Sequence, residues 1–160
     1  MSIIISGVSG FLGENLKTHL ISSGQDVFGI SRKDSISENS TNNLKFENFN
    51  EINSNILKNL DSRVFIHCAG LAHKNLINQS KDFINEVNSE LPLKVAKICA
   101  LAGVEKFIFI SSASVVSDKS NGNIYSKSKA LAEEKLKNFS NETNMKIVIV
   151  RPTLVYGKNA

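Results

Sequence analysis

Tyr125 and Lys129 stand four residues apart in the run Tyr125-Ser126-Lys127-Ser128-Lys129. On a helix that spacing places both side chains on one face. A phenol with a pKa near 10 is a weak base at neutral pH, and an ammonium beside it favours the phenolate and lowers that value. Tyr125 is therefore a candidate to exchange a proton with a substrate hydroxyl or carbonyl. The same spacing occurs on many helices as a plain surface pair, so the reading depends on its company. Ser111-Ser112-Ala113-Ser114, at the end of an apolar run, offers hydroxyls that can hold a reacting oxygen beside the phenol. Hydride transfer at a carbon needs such a group, because alcohol oxidation and ketone reduction both develop charge on the attached oxygen.

A second constellation lies near the N-terminus. Gly7-Val8-Ser9-Gly10-Phe11-Leu12-Gly13 carries glycines spaced Gly-x-x-Gly-x-x-Gly between an apolar run and a helical pattern. Glycines at such a turn let backbone amides approach a pyrophosphate, which the positive end of the helix stabilises. The spacing differs by one residue from Gly-x-Gly-x-x-Gly, and its position between strand and helix predicts dinucleotide binding. At the end of the next apolar run stands Ser31-Arg32-Lys33, where an NAD site usually carries a carboxylate for the ribose hydroxyls. Two cations there lean toward the 2′-phosphate of NADP over NAD, with a solvated loop as the alternative for Lys33. His67-Cys68-Ala69-Gly70 closes a further run with small residues against which a cofactor can lie.

The other reactive types receive plainer readings. His67 and His73 are read as core or loop histidines rather than pyrophosphate ligands, His19 as a surface residue and Tyr156 as packing at a strand end. Cys68 and Cys99 form no Cys-x-x-Cys pair and have no histidine at ligand spacing, so they read as reduced, buried small hydrophobes, and no metal is expected.

The elements that must position these groups follow from periodicity. Ile3 to Ser6, Asp26 to Ile30, Val64 to His67, Lys106 to Ser111 and Lys146 to Val150 read as buried strands, with Leu44 to Phe49 a weaker candidate after a polar loop. Helical spacing links Phe11, Leu12, Leu16, Leu20 and Ile21 before Gly24. It recurs over about Lys81 to Ala102, where Pro92 predicts a kink or break, and over Tyr125 to Phe139 with Glu133 and Lys137 as an i,i+4 pair. Strands apolar on both faces alternating with helices predict a doubly wound parallel α/β sheet, whose ligands bind beyond the carboxyl ends of the strands.

At 160 residues and 41% hydrophobic, the chain fits one domain, residues 1–160, with one sizeable core. No apolar run approaches the ~20 residues that span a bilayer, so no membrane partner is expected. The net charge of +4 is modest and its cations are scattered, which argues against a nucleic-acid surface. Met1-Ser2-Ile3-Ile4-Ile5 lacks a secretory signal's basic start and apolar length, which predicts a cytoplasmic chain.

Gly7/Gly10/Gly13, His67-Cys68-Ala69-Gly70, Asn88, Ser111-Ser112, Tyr125 with Lys129, and Arg151-Pro152-Thr153-Leu154-Val155-Tyr156-Gly157 occur in this order along the whole chain. The set resembles the extended short-chain dehydrogenase/reductases, in particular their nucleotide-sugar epimerase, dehydratase and keto-reductase group. The resemblance implies a Rossmann-like fold in which Ser112 bonds the substrate oxygen, Tyr125 is the acid/base, and Lys129 binds the nicotinamide ribose and tunes Tyr125. It implies cofactor contacts at Gly7, Gly10, Phe11, Leu12, Gly13, Ser31, Arg32, Cys68, Ala69 and Gly70. Asn48-Phe49 matches a pair beside the adenine, and Pro152 and Val155 lie in a turn that passes the nicotinamide.

The expected function is hydride transfer, dependent on NADP or NAD, at a ring carbon of a UDP- or TDP-linked sugar. A homodimer is compatible with it. Three features depart from the resemblance. Leu154 stands where many members carry a substrate-contacting Asn. The 13 residues from Ser112 to Tyr125 are fewer than extended members have. Those members also continue into a C-terminal substrate domain, which is expected to be missing here, so the resemblance covers the cofactor half. The trimmed spacing and Arg32 favour a keto-sugar reductase. The alternatives are a catalytically silent fragment or dinucleotide-sensing module and, more weakly, a compact carbonyl reductase.

Overall fold

The computed structural model describes residues 2–32, 42–47, 49–72, 76–117 and 123–157, with the backbone alone at Asn50. Its strands are β1 (Ser2–Ser6), β2 (Asp26–Arg32), β3 (Asn43–Phe46), β4 (Ser62–His67), β5 (Lys106–Ile110) and β6 (Lys146–Val150). Between them run α1 (Phe11–Ser22), α2 (Ser54–Asn59), α3 (Lys81–Asn85), α4 (Leu91–Leu101), α5 (Ser114–Ser117) and α6 (Ile124–Ser140). The sheet order is β3-β2-β1-β4-β5-β6, and every neighbouring pair is parallel. The chain starts at the middle, winds outward to β3, then returns past β1 to add the other half. This is the doubly wound Rossmann-like order, and its reversal between β1 and β4 opens a crevice at the carboxyl edge.

The strands are apolar on both faces because helices cover both. On one face Ile4, Ile30, Phe65, Phe107 and Phe109 pack against Leu57 of α2, Val95 and Cys99 of α4, and Leu136 of α6. On the other, Ile5, Val27 and Ile66 meet Leu16 and Leu20 of α1. Phe65, Phe107 and Phe109 are fully buried, each contributing roughly 1.5–3 kcal/mol of apolar transfer. Cys99 is buried among them, and Cys68 is half-buried.

Three elements differ from the sequence expectation. β3 ends at Phe46 rather than running to Phe49, because the Glu47 amide donates to the Glu51 carboxylate at 3.1 Å and the chain turns into a 3-10 segment at Phe49–Glu51. Helix α2 has too few residues to show a period, and Asn53 caps it by accepting from the Asn55 and Ile56 amides, each at 3.1 Å. Pro92 does not break the second helix at its own position. It sits in the first turn of α4, and the irregularity precedes it as a π turn at Glu86–Glu90. No described helix is long and apolar enough to cross a membrane.

Candidate active site

The turn between β1 and α1 is built so that backbone packs on backbone. Gly7 has φ +78°, and a Cβ there would lie 2.7 Å from the Ala69 amide nitrogen, so the turn rests directly on the end of β4. A Cβ at Gly13 would lie 2.3 Å from the Gly7 carbonyl oxygen, so α1 also needs glycine to seat on the turn. Gly10 is different. Its Cβ would meet only the Gly7 oxygen, at an ordinary 3.4 Å, and the residue is exposed. It is the N-cap of α1 without a side-chain cap, followed by Phe11, Leu12 and Gly13, whose amides begin the helix.

Gly7, Gly10, Ser31, Arg32, Phe49 and the Cys68–Gly70 segment line one cleft of about 1370 Å³ at the carboxyl edge. It runs on past Leu71 to the exposed sides of α3 and α4. The Ser31 hydroxyl is buried here with no hydrogen-bond partner. Arg32 is exposed, and Glu47 lines the same cleft, a carboxylate that sequence reasoning had not placed there. Asn48, Lys33 and His73 lie outside the described residues.

The second cluster lies at the ends of β4, β5 and β6. Asn123 caps α6 by accepting from the Ser126 amide at 2.9 Å, and the helix then carries Tyr125 and Lys129 on one face. The Tyr125 hydroxyl is hydrogen-bonded to Ser112. Ser112 Oγ in turn lies 2.9 Å from Ser114 Oγ and accepts from the Ser114 amide at 3.2 Å. Lys129 is buried; its Nζ donates to the Ile110 carbonyl at 3.0 Å and sits 4.7 Å from the centre of the Phe109 ring. A Cβ at Gly70 would come within 3.3 Å of that Nζ, so the ammonium lies against the wall of the cleft.

Burial sets the charges. It lowers Lys129 to about 8, with Cys68 pulling slightly the other way, and raises the Cys68 thiol to about 12. Burial also raises the Tyr125 phenol, and the bond with Ser112 offsets part of that rise. The sequence expectation was a phenol lowered by Lys129. In the structure the lysine head is held by the Ile110 carbonyl and the phenol is raised.

His67 is a core histidine. It is fully buried, with Nδ1 2.9 Å from Ser6 Oγ, its ring stacked among Phe65, Phe107 and Phe109, and Nε2 without a partner. Burial, and secondarily the charge of Lys129, lower it to about 3, so it is neutral at pH 7. The π turn places Asn88 inside the fold. Its side chain accepts from the Leu71 amide at 2.8 Å and donates to the Leu71 carbonyl at 3.0 Å and to Ser128 Oγ at 3.2 Å. Asn88 thus fastens the Gly70–Leu71 wall of the cleft to the helix that carries Tyr125 and Lys129.

Glu133 was legible only as a helix-surface partner of Lys137, which does lie 3.7 Å away. The structure instead buries the carboxylate and gives it Ser111 Oγ at 2.7 Å and Arg151 Nε at 2.8 Å, with Arg151 Nη2 on its second oxygen. The available signal was the continuation of Tyr125 and Lys129 by another four residues to Glu133. Pro152 is half-buried and Val155 exposed, on the segment after β6. Tyr156 does not pack at the strand end as expected; it is 81% exposed, and Leu154 is 78% exposed. His19 is exposed on α1.

The sequence pattern of the NAD dependent epimerase/dehydratase family matches residues 3–160. A UDP-glucose 4-epimerase from Vibrio cholerae is 31% identical over 98% of this chain and 52% of its own. A decarboxylating sterol-4-alpha-carboxylate 3-dehydrogenase from Dictyostelium discoideum is 28% identical over 98% and 54%. The chain therefore spans about half the length of these relatives. Among solved structures, UDP-glucuronic acid 4-epimerase from Bacillus cereus in complex with NAD superposes with a TM-score of 0.80 at 22% identity, covering 98% of this chain and 57% of that one. UDP-glucose 4-epimerase from Thermotoga maritima with UDP-glucose gives 0.79 at 22% identity over the same shares, 98% and 57%.

Proposed function

Since the chain belongs to the NAD dependent epimerase/dehydratase family, we propose that its carboxyl-edge cleft holds NADP or NAD and that Ser112, Tyr125 and Lys129 handle the oxygen of a nucleotide-activated sugar during hydride transfer. The observation that carries the reading is the convergence of a hydroxyl-bonded phenol, a buried ammonium and a glycine turn on one sheet edge. The residues fit a dinucleotide on two counts. Gly10 leaves an open face that no packing within the chain requires, and Ser31 presents a buried hydroxyl with no partner of its own.

On this assignment the Gly7–Gly10 turn and the amides of Phe11, Leu12 and Gly13 hold the pyrophosphate at the positive end of α1. Ser31 bonds the adenosine ribose, Arg32 faces a 2′-phosphate, and Phe49 flanks the adenine. Arg32 and the lack of a carboxylate at the end of β2 favour NADP over NAD. Cys68, Ala69 and Gly70 line the nicotinamide half, Tyr125 and Lys129 bond its ribose, and Pro152 and Val155 border the ring. The dinucleotide supplies or accepts the hydride.

The chain's own part is proton handling at the substrate oxygen. Ser112 holds that oxygen and Tyr125 exchanges the proton with it. Burial raises the Tyr125 phenol, so it holds its proton at pH 7 and can donate it to an oxygen on which charge develops. Reduction of a keto-sugar is the direction proposed, on Arg32 at the end of β2 and the 13 residues from Ser112 to Tyr125, within a group whose reactions also include epimerisation and dehydration. A UDP- or TDP-linked sugar is the proposed substrate class.

A second reading is a module that binds dinucleotide without turnover. One experiment divides the two. The protein is mixed with NADPH or NADH and a UDP- or TDP-4-keto-sugar, and oxidation is followed at the dihydronicotinamide absorbance. Turnover in the wild type that falls by about 10²–10⁴-fold in Tyr125→Phe supports the enzyme. Dinucleotide binding without turnover supports the module, and turnover untouched by Tyr125→Phe overturns the acid/base assignment.

A further inference from the structure

We propose that Glu133 and Arg151 form a positioning pair that sets the geometry of the nicotinamide end of the cleft, an inference that rests on the dinucleotide reading above. Three separate segments supply that end: α6 with Tyr125 and Lys129, the segment after β5 with Ser112, and the segment after β6 with Pro152 and Val155. All three meet at one carboxylate. Glu133 lies on α6 one turn beyond Lys129, Ser111 precedes Ser112, and Arg151 precedes Pro152. Ser111 Oγ donates to Glu133 at 2.7 Å, and Arg151 grips both carboxylate oxygens, with Nε at 2.8 Å from one and Nη2 on the other.

The backbone already stitches the two strand-end segments to each other. The Ser111 amide donates to the Val150 carbonyl at 2.8 Å and the Ala113 amide to the Pro152 carbonyl at 2.9 Å. The Tyr125 bond to Ser112 and the Lys129 bond to Ile110 tie α6 to the β5 side. The Glu133–Arg151 fork adds the tie from α6 to the β6 side, so the residues on either flank of the proposed nicotinamide site become one unit.

Two features argue that the pair does more than fill space. The carboxylate is buried but the Arg151 side chain is 37% exposed, and an ion pair open to solvent on one side contributes little to stability. Charge balance alone also does not require a fork, because Lys137 approaches the same carboxylate at 3.7 Å. A planar guanidinium bonded to both oxygens fixes distance and angle together, which a lysine does not. Glu133 and Arg151 touch neither proton nor hydride on this reading; they act through the segments they hold.

The test compares ligands that do and do not reach this end. Wild type, Glu133→Gln and Arg151→Lys are titrated with the reduced dinucleotide and, separately, with ADP, which lacks the nicotinamide end. The emission of the dihydronicotinamide is recorded on binding. The expected result is a loss of about tenfold in dinucleotide affinity, the scale of one charge-assisted hydrogen bond, with the wild-type emission shift lost and ADP affinity within about twofold. Equal losses for both ligands would mean a purely structural role, and no loss for either would mean none; each overturns the proposal. Should Glu133→Gln fail to fold, Arg151→Lys and Ser111→Ala, which keep the carboxylate partnered, must give the same split. Wild type that binds no dinucleotide removes the parent reading and this one with it, whereas wild type that binds with variants unchanged removes only the pair.

Discussion

Replacing Lys129 by Met should stabilise the fold at neutral pH while weakening dinucleotide binding. The side chain is 95% buried, being 5% exposed, and its ammonium has the Ile110 carbonyl at 3.0 Å and the Phe109 ring at 4.7 Å as compensation. That compensation is incomplete, since burial lowers the group from 10.5 to about 8. The unfolded chain keeps the lysine proton up to pH 10.5 and the folded chain releases it near 8, so between those values unfolding takes up protons and stability rises with pH. Below pH 8 both states are charged and the full cost is present, about 3 kcal/mol at pH 7. About 1 kcal/mol of it is recovered between pH 7 and pH 9, a rise of roughly 0.5 M in the urea midpoint at an ordinary slope. The methionine chain lacks this rise, and groups common to both chains cancel in the comparison. Its midpoint at pH 7 should exceed the wild type's, by less than the full cost because the Ile110 carbonyl loses its partner. Urea unfolding of both proteins at pH 7 and pH 9, read by circular dichroism, checks this. If the two midpoints change equally between the two pH values, the lysine is not titrating from a buried state and the reasoning fails.

His67 gives the acid-side counterpart. A histidine lowered to about 3 lets the unfolded chain alone take a proton below pH 6.5, so stability falls as pH falls, by about 2 kcal/mol between pH 7.5 and pH 5; His67→Phe should lack that share, measured as the difference in urea midpoints. Gly13→Ala should unfold or strongly destabilise the chain, because its Cβ would lie 2.3 Å from a backbone oxygen. Gly10→Ala should cost about 1 kcal/mol or less yet weaken dinucleotide binding, a contrast that calorimetry on both variants resolves. Arg32→Ala should reduce NADPH affinity about tenfold and leave NADH affinity unchanged; equal effects on both would remove the 2′-phosphate assignment.

The sheet was legible because its strands are buried on both faces, so runs such as Phe107 to Ile110 and Ile147 to Val150 stand out without any alternation to interpret. The doubly wound order is then what alternating strands and helices allow. The glycine turn was legible for a local reason, since the demands on Gly7 and Gly13 come from a few neighbouring backbone atoms. What stayed hidden depends on tertiary contact. Glu133 looked like half of an i,i+4 pair because helix spacing reveals only neighbours on the helix, and its stronger partner, Arg151, arrives from another strand. The direction of the Tyr125 shift was misjudged for the same reason. Spacing reported a nearby ammonium but could not report burial or the competing claim of the Ile110 carbonyl on it.

Polar burial at the two ends of the sheet differs in a way that bears on function. At the amino edge, Ser2 and Ser62 are buried but hydrogen-bonded to each other, and Ser2 also donates to the Leu60 carbonyl at 2.8 Å. Such groups close the start of the sheet and leave nothing to offer. At the carboxyl edge, the described residues with orphaned buried atoms are Ser31 and His67, and Lys129 keeps a charge that burial opposes. Stability alone does not account for this asymmetry, because a smaller apolar residue at position 31 or a methionine at 129 would remove an unpaid cost. His67 has an internal explanation in its bond to Ser6 and its stacked rings. Ser31 does not, and it lines the cleft that begins at Gly7; Lys129 is compensated only in part by the Ile110 carbonyl and the Phe109 ring, and its ammonium lies behind Gly70 in the wall of that cleft. Unsatisfied hydrogen-bonding capacity on the side where a doubly wound sheet binds ligands is what a site for a polyhydroxylated, charged cofactor requires.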